Sequence, residues 1–380
     1  MSVSKKPLTI FYILLGCTAA LTLIGLIMVF SASSIHSLER NGATWTIFLR
    51  QLIFAVAAVP VAFFVAGLDQ SVWNRVARLG LPVSLVLLLL VHVPGLSKSV
   101  NGNTNWISLG PIDVQPSEIV KFLIIIWAAA MLARYERAGV LHFNAIKLLL
   151  PGFLLVMALI MTGRDLGTAA VIAVILAGML FVAGIHLQWI VVASGAGLML
   201  LSFFIVTASY RIQRFLVVFN PFSPDDYKSA GWQPAHSLLG LASGGFFGVG
   251  LGAGRQKWGN LAEAHTDFIF SVIGEELGLL GTLTVLALLT GLVFSIFHIA
   301  LRTTDPLSRF ACAGIGTWFA IQIILNVGSA ISVLPVVGVT LPLVSYGGSA
   351  LISSYIALGF VAGVALRDRS VRQGLKDRHL

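Results

Sequence analysis

Residues Ile10–Phe30 read IFYILLGCTAALTLIGLIMVF, twenty-one positions without one charged side chain. A run of that length and polarity is enough to cross the hydrocarbon core of a bilayer as an α-helix, whose backbone closes its hydrogen bonds internally. Comparable runs recur near Ile47–Gly67, Leu79–Val93, Ile119–Ala133, Ala145–Met161, Leu166–Ala183, Leu187–Thr207, Phe268–Ile299, Phe310–Val333 and Ser345–Leu366. The expected fold is therefore an all-α integral membrane protein of about ten transmembrane helices. The third run is short and the eighth long, which predicts tilt or a break. Lys5 and Lys6 precede the first run and Ser31-Ala32-Ser33 follow it, but its apolar core is too long for a cleaved signal peptide.

Composition points the same way: of 380 residues 57% are hydrophobic and 10% charged, where soluble domains carry about 25% charged residues. The net charge of +9 is scattered at the ends of apolar runs. A nucleic-acid binder would gather it on one polar face, so that class is excluded. Lys5, Lys6, Arg75, Arg78, Arg134, Arg137, Lys147, Arg302, Arg309 and the five basic residues after Leu366 fall on one side, which is expected to be cytoplasmic and to carry both termini. Residues 1–366 thus read as one polytopic membrane domain with a large external loop at about 208–267. Residues 367–380 read as a basic cytoplasmic tail, either solvated or in contact with anionic lipid or division proteins. Cys17 and Cys312 have no companion at metal or redox spacing. Gly248, Gly250, Gly252 and Gly254 alternate without a preceding strand, which excludes a dinucleotide-binding turn and leaves a packed or flexible external loop.

Charges in or beside a span need a partner, a wet cavity or a function. Gln115-Pro116-Ser117-Glu118 opens the fourth helix, with Ser117 placed to cap it and Glu118 and Lys121 on one face, as a neutral pair or as functional charges. Asp165, in the turn Gly163-Arg164-Asp165, is a helix cap or a site residue. Asp267 precedes the wholly apolar Phe268-Ile269-Phe270, which should desolvate it and strengthen it as a base. Glu275 and Glu276 lie inside the eighth span and suit bonding to backbone or hydroxyl groups of neighbouring segments. The Pro- and Gly-rich stretch Leu334–Ser349 must line a cavity or pack within protein. These groups gather at the external ends of helices, with Arg211, Arg214, Lys228, Arg255 and Lys257 nearby, as an anionic diphosphate head group would require.

Three segments carry a resemblance: Ser345-Tyr346-Gly347-Gly348-Ser349 after its Pro-Val-x-Gly turn, His265-Thr266-Asp267-Phe268-Ile269-Phe270 with Gly274-Glu275-Glu276-Leu277-Gly278, and Gln115-Pro116-Ser117-Glu118 with Lys121. Together they resemble the SEDS proteins (shape, elongation, division and sporulation), and the likeness runs along nearly the whole chain. Glu263-Ala264-His265 and Arg255-Gln256-Lys257 are more similar to division members than to elongation members. The resemblance implies a ten-helix peptidoglycan glycosyltransferase of the bacterial cytoplasmic membrane. It would polymerise lipid II at the outer face with a class B penicillin-binding protein and division proteins as partners. It maps the family's essential aspartate onto Asp267 and further motif positions onto Glu118, Lys121, Asp165, Trp106 and Ile107. Asn103-Thr104-Asn105-Trp106 lacks the Arg usual before that Trp, and Arg164 is a candidate to compensate.

For that reaction Asp267 is the expected base. Lys121, Lys257, Arg211 and Arg214 are expected at the diphosphate, with Glu118, Asp165, Trp106, His265 and Ser345 completing the substrate site. A divalent cation, Mg or Mn, held by Asp267, Glu118 or Asp165 is the alternative source of positive charge. The rival function is a flippase or other transporter of the lipid-linked precursor, and a third is a scaffold acting through its basic tail.

Overall fold

The computed structural model describes residues 6–100, 103–110, 112–139, 144–206 and 209–377. Ten long helices follow the ten apolar runs: α1 (Lys6–Asn41), α2 (Thr46–Ala66), α3 (Gln70–Leu90), α4 (Pro116–Arg137), α5 (Asn144–Thr162), α6 (Leu166–Val182), α7 (Leu187–Val206), α10 (Ile269–Arg302), α11 (Pro306–Ala330) and α12 (Gly348–Arg367). Eight of these are long and apolar enough to cross a membrane, and α6 is a shorter apolar helix beside them. α3 starts nine residues before the apolar run, at Gln70 after Asp69, because its first turns are polar. α4 and α12 are interior helices, with 78% and 72% of their most apolar stretches buried against 22% in α2. The chain is a multi-pass membrane protein.

Consecutive spans reverse direction, so the entries to α2, α4, α6, α10 and α12 lie at one end of the bundle and the described ends of the chain at the other. That first end carries the sheet and the two short helices of the long loop. Between α3 and α4 stands a small antiparallel sheet, order β1-β2-β3, of β1 (Ser97–Val100), β2 (Asn103–Leu109) and β3 (Ile112–Val114). It adds strands to an otherwise helical chain. The loop after α7 contains two short helices, α8 (Ser209–Leu216) and α9 (Trp232–Gly244). The basic tail forms α13 (Arg369–Lys376), which docks through Val371, 2% exposed, instead of hanging in solvent.

The eighth span is broken, as its length suggests. Gly278 sits at φ 68°, ψ −164° inside α10. A Cβ there would lie 2.3 Å from the Gly248 nitrogen, so only glycine lets the loop after α9 slot into the break. That loop supplies the hydrogen bonds the helix gives up. Val249 and Gly250 donate to the carbonyls of Glu275 and Glu276 (2.9 and 3.1 Å), and Leu279 and Leu280 donate to those of Gly245 and Phe246 (3.0 and 3.2 Å). Irregular backbone at this depth survives because it is packed within protein.

Candidate active site

Four irregular segments meet at the end of the bundle that carries the sheet. Asp267 closes the loop before α10, where Glu263 adopts φ +55° and its carbonyl accepts the amides of Thr266, Asp267 and Phe268. Asn326 of α11 clamps that turn: its Nδ2 donates to the carbonyls of Asp267 and Val339, both at 2.8 Å. Ser345 fastens the other side, donating to the Thr266 carbonyl (2.6 Å) and accepting from the Leu341 amide (2.9 Å). The Tyr346 amide bonds the His265 carbonyl at 2.9 Å.

Asp165 arrives from α6. It is an N-cap, its Oδ1 accepting the Thr168 amide at 2.9 Å. Its Oδ2 also accepts from Thr168 Oγ1 (2.9 Å), Asn105 Nδ2 (3.0 Å) and Gln115 Nε2 (3.3 Å), so one carboxylate ties α6 to β2 and to the entry of α4. Gly167 lets this turn approach the Pro- and Gly-rich stretch: a Cβ at Gly167 would stand 2.4 Å from the Val337 carbonyl. Asp165 and Asp267 thereby face one cavity of about 410 Å³, which Asn103, Arg164, Arg214 and Glu263 also line.

The electrostatics of this cavity are uneven. Asp267 is half-buried and has no hydrogen-bond partner for its carboxylate among the described residues. Burial, reinforced by the negative charges of Glu263 and Asp165 and opposed by Arg214, pushes its pKa up from 3.8 to about 7. A carboxylate with that pKa accepts a proton far more readily than a solvated one. Arg164, held at φ +64°, and Arg214 are exposed, and their guanidiniums carry no hydrogen bond or ion pair among the described residues. Unpaired guanidiniums beside a basic carboxylate suit an anion brought by the substrate. His265 stays neutral, its pKa lowered to about 4 by burial with His36 and Arg40 close by. Its ring sits between those of His36 (5.4 Å) and Tyr346 (5.5 Å).

Of the expected site residues, the structure thus gathers Asp267, Asp165 and Arg214, together with Arg164. Glu118, Lys121, Lys257, Trp106, His265 and Ser345 are not among the described residues that line the cavity. Lys121 is 1% exposed. Its ammonium bonds Glu118 Oε1 (2.7 Å) and Gln322 Oε1 (3.2 Å) and lies 4.9 Å from the Trp318 ring centre. Gln322 in turn donates to the Thr340 carbonyl at 3.2 Å, so the Glu118–Lys121 pair supports the loop beneath Asp267. Lys257, 7% exposed, is held by Glu276 Oε1 (2.9 Å) and Ser31 Oγ (3.0 Å). Glu276 also accepts the Gly252 amide (3.0 Å), and Glu275 accepts the Arg255 and Gln256 amides (2.7 and 3.3 Å). Both glutamates are structural, and they pack the alternating-glycine loop. Ser345 uses its hydroxyl on backbone, and His265 is enclosed by rings. Trp106 lies on β2 opposite Lys98 of β1. Ser117 caps nothing: Gln115 is the N-cap, and the buried Ser117 hydroxyl has no partner among the described residues. Arg211 belongs to α8, but its side chain lies outside the described residues.

The donor set does not fit a resident divalent ion. Glu118 is paired with Lys121, both Asp165 oxygens already accept hydrogen bonds, and among the described residues no three His, Cys, Asp or Glu side chains stand close enough together to hold a metal ion. Sequence reasoning missed Asn326 and Gln322, and it named Asn105 and Gln115 only as motif positions without a role. Gln322 and Asn326, four apart in an apolar helix, were readable as costly polar groups sharing one face.

Comparisons with known proteins agree with this fold. A profile of the FtsW/RodA/SpoVE family, described as cell cycle protein, matches residues 11–370. The probable peptidoglycan glycosyltransferase FtsW of Mycobacterium tuberculosis (strain ATCC 25618 / H37Rv) is 35% identical over 379 residues, covering 98% of this chain and 72% of its own. A chain of a peptidoglycan synthase complex, described for its structural coordination of polymerization and crosslinking, matches with a TM-score of 0.71 at 28% identity, covering 93% of this chain and 96% of that one. Rod shape determining protein RodA of Thermus thermophilus matches with a TM-score of 0.66 at 28% identity, covering 93% and 95%. With the family profile spanning all but the two ends of the sequence, this chain belongs to the FtsW/RodA/SpoVE family.

Proposed function

We propose that this protein is a peptidoglycan glycosyltransferase of the division type, polymerising lipid II at the outer face of the bacterial cytoplasmic membrane. The observation that carries this reading is the cavity of Asp267, where a carboxyl of pKa about 7 stands with two unpaired arginines, Arg164 and Arg214. Family membership and the relatives named FtsW support the same reaction.

Asp267 takes the proton of the acceptor sugar's 4-hydroxyl while that oxygen bonds to the anomeric carbon of the donor. The bond from that carbon to the lipid diphosphate breaks, and the electron pair leaves with the diphosphate. Arg164 and Arg214 stabilise the charge that grows there. Asp165 holds the cavity wall in register through Asn105, Gln115 and Thr168. Glu118, Lys121, Gln322 and Asn326 act behind it by fixing the backbone that presents Asp267. The likeness to a synthase complex that coordinates polymerization and crosslinking supports a class B penicillin-binding protein as partner, with division proteins alongside.

Purified protein in detergent, given lipid II with and without a class B penicillin-binding protein, tests this. Glycan polymer is the expected product. Movement of the precursor between vesicle leaflets without polymer in either mixture would replace the enzyme reading with a transporter.

A further inference from the structure

A second cavity, of about 610 Å³ and so larger than that of Asp267, lies at the opposite end of the bundle, between the start of α1, the α10–α11 turn and the α12–α13 junction. Nothing in the proposed reaction reaches it. Its lining combines apolar Ile10, Ile299 and Val364 with basic Arg302, Arg367, Arg369 and His298.

Of the two acidic residues on its wall, Asp305 is engaged through both oxygens and Asp368 through Oδ1. Asp305 accepts the Ser308 amide (2.9 Å), Gln70 Nε2 (3.1 Å) and Arg137 Nη2 (3.0 Å). Asp368 accepts the Ser370 amide (2.8 Å) and hydroxyl (2.6 Å). The cations are not matched in the same way. Arg367 donates through Nε to the Gly363 carbonyl and through Nη1 to Gln70 Oε1, both at 3.1 Å, but its buried Nη2 has no partner among the described residues. The buried Nε2 of His298 has none either. Arg302 and Arg369 are exposed, without a hydrogen bond or ion pair among the described residues. A buried donor without an acceptor, as at Arg367 Nη2, is unfavourable, and together with two exposed guanidiniums on the same cavity it calls for an anion with many acceptor oxygens. The apolar flank adds a second requirement, because a small hydrated anion leaves it uncovered. A phosphate head joined to hydrocarbon satisfies both.

We propose that this cavity binds the phosphate group of an anionic phospholipid from the adjacent leaflet. The head group sits on Arg302, Arg367 and Arg369, and an acyl chain runs along Ile10, Ile299 and Val364. The site is separate from the polymerising cavity and stands whether or not that reading holds.

Native mass spectrometry of the delipidated full-length protein in detergent tests the proposal, with phosphatidylglycerol, phosphatidylcholine and inorganic phosphate as probes. Phosphatidylglycerol is expected to bind at least about tenfold tighter than phosphatidylcholine, and the Arg302→Gln, Arg369→Gln double variant to lose about tenfold or more of that affinity. The corresponding double lysine variant keeps the charge and should keep most of the binding, which separates electrostatics from misfolding. Both arginines are exposed, so the variants should elute as the wild type does on gel filtration. If inorganic phosphate binds with the same dependence on the two arginines and displaces the lipid, the phosphate site stands and its occupant is a soluble phosphate compound. Equal binding of the two lipids, or phosphatidylglycerol binding indifferent to the double Gln variant, would overturn the proposal.

Discussion

Asp267 and the pair Glu275-Glu276 stand about two helical turns apart at the start of α10, and their surroundings are opposite. The pair is saturated: three backbone amides, a serine hydroxyl and the Lys257 ammonium supply donors to its four oxygens. Asp267 is held firmly by its backbone, through Asn326 and Glu263, while its carboxylate has no donor among the described residues. In an apolar protein both arrangements carry charge where it is costly, but only one leaves that charge available. Saturation marks a carboxylate that builds. A firmly placed carboxylate without a donor marks one that reacts.

The sharpest way to break this contrast is Asp267→Asn. It should reduce polymerisation of lipid II by about 10²- to 10⁴-fold, the usual loss for a well-placed base, with thermal stability in detergent unchanged or slightly raised. Substantial glycan from folded Asn variant would remove the base assignment. Glu276→Ala should behave in the opposite manner. It strands the buried Lys257 ammonium and should destabilise the protein by about 3–5 kcal/mol, read as lost monodisperse protein on gel filtration. The companion change Lys257→Met with Glu276→Leu should recover much of that loss.

Smaller effects test the cavity wall. Arg164→Gln and Arg214→Gln should each lower kcat/KM by about 10- to 100-fold, the worth of one charge-assisted bond, without changing stability. The smallest effect concerns pH. With Asp267 titrating near 7, the base is protonated below that value, so kcat/KM should rise with pH through about 7 and then level. Glu263→Gln removes a negative neighbour that keeps the proton on, so the midpoint should move down. Arg214→Gln removes a positive neighbour that drives it off, so the midpoint should move up. The same raised pKa makes folding stability fall as pH rises from about 4 toward 7, the reverse of the activity trend. A pH profile that ignores both substitutions would place the titrating group elsewhere.

The ten spans were legible because each apolar run is long enough to declare itself, and the break at Gly278 was foreshadowed by a run too long for one crossing. The sheet was not read, although Asn101-Gly102 between two short β-prone stretches is a hairpin signal. At the site, Asp267 and Asp165 were legible from the apolar turn that follows one and the helix that follows the other. Lys121 and Lys257 misled because sequence shows that a buried ammonium is costly but not which partner offsets it. Glu118, three positions from Lys121, was legible as a neutralising partner, but Gln322 lies 201 positions away, and Lys257 meets Glu276 and Ser31, 19 and 226 positions away. The value of Arg164 depends on a loop crossing that no local pattern encodes.

Gly167 has no charge, no donor side chain and no reach into the cavity, yet the first turn of α6 rests directly on the Val337 carbonyl because nothing larger stands there. A methyl group at that position would act as a wedge. It would part the two walls that bring Asp165 and Asp267 together while leaving every ionisable group in place. A hunt for inactive variants guided by chemical character would pass over this position, whereas one guided by the spacing between backbones would stop at it first.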